Sequence, residues 1–166
     1  MKAAQKVAVG YAVAAALGVA AVWLHGVLSR LPEPEATGGM AAFGDLVLFL
    51  AVFSVAAVPP TVMIMRHLAG IAAFWVVWAC TGVFVALSGL VASAFIVLPE
   101  LSRASHYPNV AMAAPLRILA GGPMFLAFAL SAFFSPAGRC RAVFLGCAAV
   151  ELVGSGAAIG KWALGL

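Results

Sequence analysis

Charge is scarce in this chain. Of its 166 residues nine are Lys or Arg and five are Asp or Glu, so that only 8% are charged. Soluble domains carry about 25% charged residues, and a chain this poor in charge cannot cover a water-facing surface. The excess of four positive charges does not signal nucleic-acid binding, because the basic residues stand singly between apolar runs and form no patch. Cysteine is equally sparse. Cys80, Cys140 and Cys147 are odd in number and lack CxxC or Cys/His spacing, which excludes a disulfide framework or structural zinc site by pattern. Catalytic signatures are missing as well: there is no HExxH, no GxSxG and no nucleophile–base pair. No enzymatic activity and no cofactor are expected.

What fills the chain is hydrocarbon. Hydrophobic residues make up 66% of it and the mean hydropathy is +1.17. Apolar segments cover residues 7–29, 45–65, 71–97, 115–135 and 142–162. About 20 residues of helix cross a ~30 Å hydrocarbon core. The sequence therefore predicts an all-α integral membrane protein, a bundle of five transmembrane helices forming one domain over 1–166. Lys2 and Lys6 ahead of the first apolar run imitate a secretory signal, and four spans would remain if that helix were cleaved or did not span. The run continues uncharged to Ser29 with no convincing small-residue cleavage site, so a retained anchor is expected.

Local features mark how these helices should pack and bend. In 7–29, Gly10, Ala14, Gly18, Ala21 and His25 recur at three- or four-residue spacing, a small stripe that lets another backbone approach closely. Gly82 belongs to a similar stripe in 71–97, and Gly156 and Gly160 form a GxxxG pattern in 142–162. Asp45 is expected to cap the second helix. Pro59 and Pro60 remove two backbone donors and free the carbonyls of Val55 and Ala56, predicting a kink that Ser54 and Thr61 could help satisfy. Gly121, Gly122 and Pro123 predict a second kink.

One side chain violates the pattern. Glu151 lies in the middle of the last apolar segment, ten positions from both Arg141 and Lys161. At ~1.5 Å per helical residue it stands roughly 15 Å from either end, near the bilayer midpoint. An ionisable group there is a functional candidate. It shares a helical face with Cys147, Ala148, Gly154, Ser155 and Ala158, all small, so it should point into a helix contact or cavity. With no basic residue expected at its depth, Glu151 is read as a neutral acid bonding a backbone carbonyl or a hydroxyl, Ser54, Thr81, Ser131 or Ser155.

Three functions follow as expectations. The first is a non-enzymatic accessory or oligomerising membrane subunit, partnered by the bilayer and by copies of itself or a larger membrane complex. The second is a small proton-coupled transporter or permeation protein with Glu151 as the protonatable site. The third is a haem- or quinone-associated redox subunit using His25 and His106, which are also the candidates for metal ligation. Lys2, Lys6, Arg66, Arg139 and Arg141 fall on one side of the segments, and Arg30, Arg103, Arg117 and Lys161 on the other. The first set places the N-terminus in the cytoplasm and the C-terminus outside, as for a bacterial inner membrane. A C-terminal reporter active only in the cytoplasm is accordingly expected to stay silent, and a signal from it would reverse the orientation.

Overall fold

The computed structural model describes residues 3–29, 38–98, 100–101 and 108–164. Seven helices and no strand occur among them: α1 (Ala3–Leu28), α2 (Gly38–Ala56), α3 (Val58–Leu68), α4 (Ala72–Val97), α5 (Pro108–Leu119), α6 (Gly121–Phe134) and α7 (Gly138–Leu164). Three of them, α1, α4 and α7, are each long and apolar enough to cross a membrane. The pairs α2–α3 and α5–α6 pass the same test as bent units, which brings the number of candidate spans to five.

The five apolar segments thus become seven helices because two of them break. The α2–α3 pair bends by 46° and the α5–α6 pair by 44°. Both breaks fall where the sequence has prolines or paired glycines. Pro59 and Pro60 occupy the first turn of α3, where a missing N–H costs no intrahelical bond. Helix α2 also begins earlier than expected, at Gly38, so that Asp45 lies inside it and caps nothing. The Asp45 carboxylate instead meets His25 Nδ1 at 3.3 Å.

The chain clusters into two compact units, residues 1–64 and 65–166. In the first, α1 packs along α2 and the start of α3 by means of the small stripe. A Cβ on Gly10 would fall 2.8 Å from Pro60 Cβ, and one on Gly18 would fall 2.7 Å from the Phe49 ring. Ala14 is fully buried between them. At the break, Thr61 donates its backbone N–H (3.1 Å) and its hydroxyl (2.7 Å) to the carbonyl of Ala57. Tyr11 and Thr61 share a hydroxyl–hydroxyl bond of 2.8 Å, tying α1 to the bend. Ser54 donates to Leu50 O. Both hydroxyls therefore serve carbonyls other than those of Val55 and Ala56 that the prolines were expected to expose.

The second unit holds the main core. Trp75, Phe128 and Phe144 are its largest buried side chains, joined by Met65, Cys147 and alanines from α4, α6 and α7. Gly82 lets the Phe128 ring approach to 3.1 Å of its Cβ position. The indoles of Trp75 and Trp78 are satisfied: Trp75 donates to Leu68 O at 3.1 Å and Trp78 to Ser131 Oγ at 2.9 Å. Cations finish the helix ends. Arg141 donates to Ala132 O and Ser135 O at the end of α6, and Lys161 donates to Val97 O at the end of α4. The outward faces are apolar, with Phe84 75% and Phe133 76% exposed.

These packing differences separate the glycines. Gly18→Val is expected to lower stability by about 1–3 kcal/mol through overpacking against Phe49. Gly156→Ala, with nothing within 4 Å of its Cβ position inside the chain, should stay within about 0.5 kcal/mol of the parent when single chains are measured, at a detergent-to-protein ratio that separates any oligomer. Thermal unfolding in detergent reads both.

Candidate functional site

Glu151 is 1% exposed and sits on the inward face of α7 with Cys147, Ala148, Gly154, Ser155 and Ala158, all buried. Its partner is a residue that the order of apolar segments puts on the outer side of the bilayer. Arg117, from the last turn of α5, forms a two-pronged ion pair with it: Nη1 donates to Oε2 at 3.2 Å and Nη2 donates to Oε1. The same guanidinium donates from Nη2 to Val85 O at 2.7 Å and from Nε to Ser88 Oγ at 2.9 Å. Ser88 in turn donates to Val85 O at 2.7 Å. The expectation of a neutral acid without a cation at its depth is therefore corrected. The bend of 44° after Leu119 ends α5 beside the middle of α7, and a long arginine side chain covers the remaining distance.

Small residues make the room. A Cβ on Gly89 would fall 2.8 Å from Arg117 Nη2 and 3.0 Å from each Glu151 oxygen, so α4 can pass the ion pair only without a side chain at that position. Gly121, the first residue after the bend, faces α7 in the same way, its Cβ position 2.9 Å from Ser155 Cβ and 3.5 Å from Glu151 Oε2. Gly154 meets Ser93, whose hydroxyl donates to Gly89 O at 2.8 Å. The second kink thus has a packing reason: Gly121 is needed at the α6–α7 contact, whereas Gly122 opens onto empty space.

The other residues singled out from the sequence do not gather here. Among the proposed Glu151 partners, Ser155 lies one helical turn along against Gly121, while Thr81 is exposed and donates to Val77 O at 3.0 Å. Ser54 belongs to the first unit and bonds within α2. Ser131 donates to Ala127 O and accepts from Trp78. His25 is exposed and paired with Asp45, and His106 lies outside the described residues. Among the described residues no three His, Cys, Asp or Glu side chains group as metal ligands. Gly156 and Gly160 have nothing within 4 Å of their Cβ positions.

Arg117 was the missed member. A signal for it existed: it is flanked by Leu116 and Ile118, apolar on both sides, and an apolar segment with a lone acid needs a cation somewhere. Chemically the arrangement neutralises two charges and engages both carboxylate oxygens. No buried side-chain nitrogen or oxygen among the described residues lacks a partner.

Because a buried charge stripped of its partner is costly, Glu151→Leu or Arg117→Met alone should each destabilise by about 3–5 kcal/mol. Combining Arg117→Met with Glu151→Leu should recover most of that loss, a non-additivity that denaturant unfolding of the four proteins measures. Compared with protein-family models, with curated proteins and with solved structures, the chain matches none of them.

Proposed function

We propose that the protein is a non-enzymatic multi-pass membrane protein with five spans, two of them bent, acting as an accessory or oligomerising subunit. The observation that carries this reading is the buried Arg117–Glu151 pair. It couples α4, α5 and α7 through charges that are already matched, and leaves Glu151 1% exposed. In hydrocarbon every polar group must find a partner inside the protein, which is the state of the buried side chains described above. Apolar outward faces on α1, α4 and α7 support the bilayer as their solvent. The unfilled Gly156–Gly160 face of α7 supports close approach of a further helix from a second copy or another subunit. Removing Arg117 from the outer loops leaves Arg30, Arg103 and Lys161 there against five inner basic residues, which favours an inward N-terminus more clearly than the sequence did.

A second reading rests on a different feature. The α5–α6 break lies beside the pair, and discontinuous spans with central charges are how many carriers build a coupling site. In that reading Glu151 releases Arg117 when it takes up a proton.

Proteoliposomes distinguish the two. Under an imposed pH gradient the subunit reading expects proton flux no faster than in protein-free vesicles, and a solubilised particle larger than one chain. Gradient-driven flux that disappears in Glu151→Gln with the fold retained would establish the carrier instead.

A further inference from the structure

Arg117 has a second face. While Glu151 is sealed, the arginine side chain is 19% exposed and lines an open groove of about 340 Å³ between α4 and α5. The groove walls are Val91, Ala92, Phe95, Ala113 and Ala114, and its polar members are Arg117 and Ser88. That volume is at the lower end of ligand pockets, which run from about 300 to 1,000 Å³, and suits one ring system better than a whole lipid.

From these features the geometry points to a binding site for a neutral, lipid-soluble ring ketone of the quinone kind, its carbonyl accepting a hydrogen bond from Arg117. Charge decides the class of ligand. The guanidinium is already balanced by Glu151, so an anion would meet a carboxylate a few ångströms behind its only attraction, and a cation would meet the guanidinium itself. A neutral acceptor is the remaining match. Donor capacity exists for it: Nε gives one bond, Nη1 one and Nη2 two, four of the five N–H groups of an arginine, so that among the described residues one Nη1 hydrogen has no partner. In an apolar surrounding an unengaged donor is costly, and a carbonyl satisfies it. The Phe95 ring and the flat alanine wall of α5 suit a planar ring. The inference rests on the proposed bilayer location, because such a ligand reaches the groove by way of lipid.

The test uses the full chain in lipid nanodiscs and a tritiated short-chain naphthoquinone as probe, with the ring-saturated hydrocarbon of the same size as competitor. Saturable binding that the hydrocarbon does not displace is expected. Ala113→Phe, at an exposed position on the groove wall, should fill the groove and weaken binding at least ~10-fold with an unchanged unfolding profile. Arg117→Lys keeps the positive charge but loses the planar fork, and should weaken binding by about 10-fold. Displacement by the hydrocarbon as readily as by the quinone would make the groove a seat for lipid chains alone and overturn the proposal. Absence of saturable binding, or binding indifferent to Ala113→Phe, would overturn it equally. Failure of the bilayer reading is seen separately, as release of the chain from membranes by alkaline carbonate.

Discussion

A carboxylate enclosed by apolar helices has to be answered, and the second unit is arranged around the answer. Coulomb attraction at contact distance grows as water is removed, but so does the cost of stripping each ion of its hydration, so such a pair holds only when geometry and surrounding hydrogen bonds are nearly complete. The Arg117–Glu151 pair meets that condition. Two prongs join the charges, and the Val85 carbonyl and the Ser88 hydroxyl take further donors of the guanidinium. Helix α4 supplies acceptors, α5 the cation and α7 the anion, so the pair specifies which helices are neighbours and at what height. Apolar packing alone would not do this, since one alanine-lined helix face resembles another.

Several local oddities follow from that single demand. Gly89 is a gap in α4 through which the charges meet. The break after Leu119 ends α5 at the right level, and Gly121 lets the continuing helix lie against Ser155. In the first unit the same economy appears without charge burial: Thr61 and Tyr11 hold the proline bend, and Gly10 and Gly18 admit Pro60 and Phe49. Both bent pairs among the described residues bend where a glycine or a proline coincides with a close contact.

In the proposed reading, the matched pair serves a polar core that holds α4, α5 and α7 together. Of the two charges Glu151 is enclosed, and only Arg117 reaches a surface.

The amino-acid sequence by itself determined the class of structure. Its hydropathy required helices, its five apolar segments foreshadowed the three long helices and two bent pairs, and Pro59–Pro60 and Gly121–Gly122–Pro123 marked both breaks, because these are local properties of consecutive residues. The small face around Glu151 was legible for the same reason, being a matter of helical period. The cation was not. Arg117 lies 34 positions from Glu151 in the chain, and neither its distance nor its direction is a local property. Its place at the start of the fourth apolar run puts it on the outer side, whereas the bend and a long side chain carry its charge inward. Likewise Asp45 had the composition of a cap, and only the packing of α1 on α2 turned it toward His25. Periodicity fixes which way a side chain points from its own helix; what stands opposite is decided only when the helices pack.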